Sequence, residues 1–207
     1  MDGVLFDLDD TLVDQASAAA SAVVAWMGED RPGLVARWTG VSALHYRRFQ
    51  DRELTYDEQR RARVRDLLED PSLRDDEADA AFDTYRHHYD AACVPFPDAL
   101  PTLRRARDAG LRVGVLTNGM AERQVLKAAR AGITTVVDVV VASSALPVSK
   151  PHPAAFHAAC GRLGTEPGAT LMVGDSLADD VHGASAAGLP RSCWTGTTPT
   201  RTPAYVA

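Results

Sequence analysis

Between Ala99 and Trp194 the chain alternates short apolar runs with segments of helix length, and this alternation constrains the fold more than any other feature. Leu111-Arg112-Val113-Gly114-Val115-Leu116, Val136-Val137-Asp138-Val139-Val140-Val141 and Thr170-Leu171-Met172-Val173 read as strands, with Ser192-Cys193-Trp194 as a last short one. The segments between them read as helices. One runs from Ala99 to Ala109 and stops at Gly110; the next follows Thr117-Asn118-Gly119 and reaches about Ala131, before Gly132. A third spans Pro153 to Leu163 with proline in its first turn, and a fourth follows Gly174-Asp175-Ser176 and runs to Ala187, before Gly188. Strands alternating with helices predict an α/β fold: a Rossmann-like, doubly wound, mostly parallel sheet. One more strand stands apart at the start, where Val4-Leu5-Phe6 breaks abruptly into Asp7-Leu8-Asp9-Asp10-Thr11-Leu12.

From Gln15 to about Ala92 the character changes. Strand-like runs disappear and charge rises, most densely from Asp57 to Leu68. Ala78, Ala81, Phe82 and Tyr85 recur at helical spacing, while Pro32-Gly33, Thr39-Gly40 and Asp70-Pro71 punctuate the stretch into several helices. The expected organisation is an α/β core from 1–14 and 93–207, with an inserted all-helical domain at 15–92. The arginine-rich run reads as a solvated helix face with i,i+4 carboxylate partners, and His87-His88 as surface helix, because adjacent helical residues diverge by about 100°.

At 207 residues, the chain can bury one ordinary core plus an insertion. A net charge of -6 argues against general nucleic-acid affinity, which needs a basic surface, but is compatible with a small anionic substrate held by a metal and a few local cations. Cys93, Cys160 and Cys193 are scattered and form no paired motif, which suits a reducing compartment. Met1-Asp2-Gly3 leads straight into a strand without a basic segment, and the alanine-rich stretch Ala16–Met27 is too short to span a bilayer, so a cytoplasmic location with no membrane partner is expected. The chain ends soon after Trp194, so an abbreviated last element is expected around Pro203–Ala207.

Four groups stand at strand ends or in loops: Asp7 with Asp9, Thr117-Asn118-Gly119, Lys150-Pro151, and Asp175 with Asp179 and Asp180. Taken singly, each reads equally well as a turn, a helix cap or an exposed loop residue. Three of the four directly follow an apolar strand, so a parallel sheet would gather them along one edge, where open α/β sheets place their crevice. Carboxylates, a hydroxyl at a helix start and one lysine are the parts needed to hold Mg²⁺ and a phosphoryl group. Mg²⁺ takes hard oxygen ligands, a helix start binds phosphate oxygens, and lysine supplies a point charge.

With those residues in order, the chain resembles the haloacid dehalogenase superfamily, in its helical-cap phosphatase-like subgroup. The carrying motifs are Asp-x-Asp-x-Thr at Asp7, Asp9 and Thr11, then Thr117, then Lys150, then Gly-Asp-Ser followed by Asp180 and Gly183-Ala184; Glu53–Glu58 is similar to the cap of these enzymes. The resemblance implies a Mg²⁺-dependent phosphohydrolase acting on a small phosphorylated metabolite, as a monomer or small homo-oligomer. Asp7 would attack phosphorus and form an aspartyl-phosphate, and Asp9 would act as general acid and then base. Thr117, Asn118 and Gly119 would hold phosphate oxygens, and Lys150 would balance charge. Asp7, the Asp9 backbone carbonyl, Asp175 and Asp180 form the metal side, with Asp179 competing for the place of Asp180. Contact with Mg²⁺ and Lys150 would keep Asp7 ionised and leave Asp9 free to carry a proton.

Other readings are a phosphomutase on the same motifs and a haloacid dehalogenase. The latter attacks carbon and gives Asp9 no work. A phospho-receiver domain would need an acid after the third strand, where Ala142-Ser143-Ser144 stands instead. In the resembled family the cap selects the leaving group, and Gln15, Trp26, Trp38 and Arg47 are candidates for its entrance.

Overall fold

The computed structural model describes residues 1–195 and 202–204, with side chains described up to residue 190. The chain divides into two compact units, one of Met1–Asp14 with Pro95–Ala207 and one of Gln15–Val94. The second unit holds helices α1 (Gln15–Met27), α2 (Leu34–Gln50), α3 (Tyr56–Leu68) and α4 (Asp75–Ala92). The first holds α5 (Ala99–Asp108), α6 (Ala121–Arg130), α7 (Pro153–Leu163) and α8 (Gly183–Ala186) with strands β1 (Gly3–Phe6), β2 (Arg112–Thr117), β3 (Val139–Ala142), β4 (Thr170–Gly174), β5 (Arg191–Thr195) and β6 (Thr202–Ala204). The return to the sheet unit falls two residues later than the sequence suggests. Cys93 still caps α4 through its N–H on the Tyr89 carbonyl, and Pro95 is the residue that bridges to Val13.

The strand order is β3-β2-β1-β4-β5-β6; the first five run parallel and β6 pairs antiparallel with β5. The order reverses beside β1, so β1 and β4 meet where an open α/β sheet leaves its crevice. Alternation along each strand fills two opposite faces. Leu5, Leu116, Val141 and Met172 pack on Ala155, Phe156, Ala159 and Leu163 of α7, and on Ala184 of α8. Phe6 and Val173 point the other way, toward Ala99 and Thr102 of α5. Full burial of such a side chain contributes about 1.5–3 kcal/mol. At Gly114 a Cβ would stand 3.0 Å from Leu5 Cδ2 and 3.1 Å from Val139 Cγ1, so a side chain at the centre of the sheet would press on both neighbours.

Two elements differ from their sequence reading. β3 starts at Val139 rather than Val136: Val136 N–H closes a 3₁₀ turn on Ile133, and Asp138 is spent on Val113, donating to its carbonyl at 2.7 Å and accepting its N–H at 2.8 Å. The expected single helix up to Ala187 is instead a π-helical turn, Leu177–His182, leading into the short α8. The β5 backbone covers the strand expected at Ser192–Trp194. The abbreviated element expected around Pro203–Ala207 lies partly outside the described residues.

In the helical unit, Thr39-Gly40 does not break a helix. It falls inside α2, whose Leu34, Trp38, His45 and Phe49 are buried, while Gly40 faces solvent and costs only about 1 kcal/mol relative to alanine. Thr55 and Glu58 form a capping box that starts α3. Trp38, a proposed entrance residue, is 1% exposed and packs edge-on to Trp26 at 5.6 Å and Tyr85 at 4.6 Å. Tryptophan of that size is the natural centre of a four-helix core, and both tryptophans belong to it. Gln15 opens α1, and Arg47 pairs with Asp51 on the α2 surface. The arginine-rich face of α3 is not solvated as expected. Arg60, Arg61 and Arg65 reach across to Asp75, Asp79 and Asp83 of α4 and are only partly exposed. Such cross-helix pairs tie α3 to α4. His87 and His88 remain surface residues, exposed and half-buried. No helix among the described residues is long and apolar enough to cross a membrane.

Candidate active site

β1 continues for one residue past its last pair, because Asp7 N–H donates to the Val173 carbonyl at 2.9 Å. This fixes Asp7 at the C-terminal end of the strand and buries its carboxyl. Lys150, itself 4% exposed and followed by a cis Lys150–Pro151 peptide bond, brings its Nζ to 2.6 Å from Asp7 Oδ1 and 2.5 Å from Asp180 Oδ1. The Lys150 backbone is clamped by one side chain: Asn118 Oδ1 accepts its N–H and Asn118 Nδ2 donates to its carbonyl. Asn118 therefore positions the lysine, a role that motif spacing does not reveal.

Asp180 rather than Asp179 contacts the lysine. The π-helical turn brings Asp180 back over Gly174, where any Cβ would collide with its carboxylate, and Ser176 N–H donates to Asp180 Oδ2 at 3.1 Å. Asp179 donates its own N–H to Ser176 Oγ. Asp175 ends the β4 excursion, with Thr11 Oγ1 donating to its Oδ1 at 3.2 Å and accepting its N–H at 3.1 Å. Thr11, last residue of the first motif, thus braces the fourth.

Asp7, Asp175 and Asp180 can each offer an oxygen, all within 4.8 Å of one another. Burial pushes the Asp7 carboxyl well above the usual carboxylate range. Lys150 opposes the shift, and the neighbouring Asp180 and Asp9 add to it. Asp175, more open to solvent, is pushed up to about 6, first by the burial it has and then by Asp180 and Asp10. Burial also works against the Lys150 cation, yet Asp180 and Asp7 outweigh it and hold the ammonium above its ordinary range. One lysine does not neutralise three carboxylates. An all-oxygen cluster short of positive charge suits a hard divalent cation, so these residues fit Mg²⁺.

Asp9 points elsewhere. Its carboxylate turns to α6, where Lys127 Nζ lies 2.5 Å from Oδ1 and Gln124 Nε2 lies 3.0 Å from Oδ2. Gln124 Nε2 is also within reach of Thr117 Oγ1 (2.8 Å) and the Asn118 carbonyl (2.9 Å), which links the first and second motifs. Neither Gln124 nor Lys127 was singled out from the sequence. The available signal was a polar residue, Gln124, on the buried stripe of an amphipathic helix one turn before Ala128. Thr117 stands at the end of β2 rather than at a helix start, since α6 begins only at Ala121. The intervening turn is held by Ser143 Oγ, which accepts Gly119 N–H, and Ser144 Oγ, which accepts Ala121 N–H. Gly119 has a φ of 136°, a conformation that suits glycine, so its part is to shape this turn.

Comparison with known proteins agrees with this geometry. The haloacid dehalogenase-like hydrolase family profile matches residues 1–188. A glyceraldehyde 3-phosphate phosphatase of Methanopyrus kandleri is 39% identical over 53% of this chain and 47% of its own length, so the chain matches only about half of that relative. A phosphoglycolate phosphatase of Yersinia pestis is 32% identical over 91% of this chain and 78% of its own length. Among solved structures, a putative HAD-hydrolase from Bacillus subtilis bound to magnesium has a TM-score of 0.78 at 22% identity, covering 92% of this chain and 86% of that one. A 2-haloacid dehalogenase from Pseudomonas syringae has a TM-score of 0.66 at 29% identity, covering 94% and 86%. On the profile match across most of its length, the chain belongs to the haloacid dehalogenase-like hydrolase family.

Proposed function

We propose that the protein is a Mg²⁺-dependent phosphatase that hydrolyses a small organic phosphate monoester through an aspartyl-phosphate on Asp7. The observation that carries this reading is the division of labour between two nearby carboxylates. Asp7 is buried against Lys150 and the acidic cluster, whereas Asp9 is held apart by Gln124 and Lys127. A phosphatase needs both a nucleophile and a proton carrier. A dehalogenase-type hydrolase gives the second carboxylate no task, which argues for phosphoryl chemistry. The phosphatase names of the relatives above add independent support.

Asp7, Asp175 and Asp180, with the Asp9 backbone carbonyl, would hold the metal. When bound, Mg²⁺ supplies the positive charge that the cluster lacks and helps to keep Asp7 ionised. Asp7 then attacks phosphorus in line, and the P–O bond to the leaving group breaks as the Asp7–P bond forms. Asp9 gives its proton to the departing oxygen. Asp9 next takes a proton from water, which attacks the aspartyl-phosphate and releases inorganic phosphate, restoring Asp7. Thr117 and the turn at Asn118 hold phosphate oxygens, and Lys150 offsets the charge on the transferred group. The helical unit is the candidate specificity domain, and a cytoplasmic location fits such a substrate.

Phosphate release from a panel of monoesters, with and without Mg²⁺ after exhaustive chelation, tests the reading. Hydrolysis that needs Mg²⁺ and disappears in Asp7→Asn is expected. Full activity in the chelated protein would refute it.

A further inference from the structure

We propose that Ser143 and Ser144, just past the end of β3, are positioning residues for the phosphate-binding half of the site. The proposal deepens the phosphatase reading above and rests on it. β1, β2 and β4 each lead into a residue of the site, namely Asp7, Thr117 and Asp175. β3 leads instead into Ser143-Ser144, which no step of the reaction has used. β3 runs parallel to β2 with Ala142 opposite Thr117, so the two serines continue beside Asn118 and Gly119. Three hydrogen bonds join the two segments. Ser143 Oγ accepts Gly119 N–H at 3.1 Å, Ser144 N–H donates to the Gly119 carbonyl at 3.1 Å, and Ser144 Oγ accepts Ala121 N–H at 2.8 Å.

A serine that only shapes its own turn bonds backbone within a few residues. These two hydroxyls accept from residues 24 and 23 positions back. Gly119 is held at both its N–H and its carbonyl, which fixes the peptide planes on either side of it. That matters because glycine at a φ of 136° rotates with little steric resistance. Gly119 is buried, and so is the Ser143 side chain, so without that hydroxyl the N–H must turn to find another acceptor. Such a turn would carry Asn118 with it, and Asn118 clamps the Lys150 backbone on both sides. Ser144 acts on the next element. Met120, at the N-cap of α6, makes no side-chain cap, and Ser144 takes the first N–H of the helix in its place. The Gly119 and Ala121 N–H groups are thus committed to serine oxygens rather than to phosphate. Their part is to hold Thr117 and Asn118 in place before the substrate arrives.

The test uses the full chain and two probes, each followed by calorimetry: inorganic phosphate at saturating Mg²⁺, and Mg²⁺ alone. Ser143→Ala should weaken phosphate by about 10- to 100-fold, the scale of a small misplacement of binding groups. Its Mg²⁺ affinity should stay within about twofold of the parent, because Asp7, Asp175 and Asp180 make none of the three serine bonds. A serine with a merely structural part would lower both affinities together or neither. Ser144→Ala should weaken phosphate several-fold, and Ser144→Thr, which keeps the hydroxyl, should return it to the parent value. If the melting curve shows that Ser143→Ala does not fold, the Ser144 pair decides alone. A parent that binds no phosphate, a folded Ser143→Ala with parental phosphate affinity, or one that loses both affinities alike would overturn the proposal. So would Ser144→Ala equal to the parent, or Ser144→Thr as weak as Ser144→Ala. Failure of the phosphatase reading shows separately, as absent ester hydrolysis by a parent whose phosphate binding still depends on the serines.

Discussion

Removing Lys150 should expose how the acidic cluster is balanced. In Lys150→Met the ammonium that lies 2.6 Å from Asp7 and 2.5 Å from Asp180 is gone, and two buried carboxylates face each other. Breaking a buried pair by deleting one partner costs about 3–5 kcal/mol. For a chain of this size that is roughly 6–20 °C in Tm, at about 2–4 °C per kcal/mol. The loss should depend on pH in a defined direction. Asp7 already titrates above its unfolded value, and without the lysine it must titrate higher still. A carboxyl whose folded-state pKa is raised contributes stability that is present at low pH and lost as pH rises through that pKa. The variant should therefore lie nearer the parent at pH 5 than at pH 8, the gap widening by up to about 1.4 kcal/mol per pH unit for each retained proton. Urea denaturation of both metal-free proteins at pH 5, 6.5 and 8 measures this. An equal loss at all three values, or a loss below about 1 kcal/mol, would refute the account of Lys150 as the counter-ion of the cluster.

Two further outcomes follow from the same geometry. Gln124→Ala and Lys127→Met free the Asp9 carboxylate from α6, so kcat should fall by about 10- to 100-fold for alkyl phosphates with KM little changed, part of the general acid–base contribution. Lys127→Arg should recover part of the loss, and steady-state kinetics with an aryl phosphate should show a smaller effect, because its first step needs little acid. Mg²⁺ competes with protons at the cluster, and Asp175 titrates near 6, so affinity measured by calorimetry should weaken from pH 7.5 to pH 5 by as much as about tenfold per pH unit below that value. Equal affinity at pH 5 and 7.5 would count against Asp175 as a ligand.

Much of the sheet unit was legible because its signals are local. Apolar runs ending in Asp7, Thr117 and Gly174 mark strand ends, and a parallel sheet does the gathering. What was not legible depends on partners distant in sequence. Val136–Asp138 has strand propensity, but Asp138 gives its carboxylate to Val113, and that bond lies in no local pattern. The π-helical turn before α8 follows from Asp180 reaching Lys150 and Ser176, and a helix-period reading cannot anticipate it. Gln124 and Lys127 stand 115 and 118 residues from Asp9, with no motif to announce them. In the helical unit, charge density suggested a solvated face, whereas α4 supplies a row of aspartates that turns the arginines inward.

The central claim is that Asp7 carries the phosphoryl group, and the most direct measurement is to catch it there. Asp9→Asn keeps the backbone carbonyl but removes the base needed for the hydrolytic step. With an aryl phosphate the first step should still proceed and the second should stall. Rapid acid quench followed by peptide mass spectrometry should then find the phosphoryl group on Asp7 in Asp9→Asn, and none in the Asp7→Asn, Asp9→Asn double variant. Phosphate on any other residue would contradict the account.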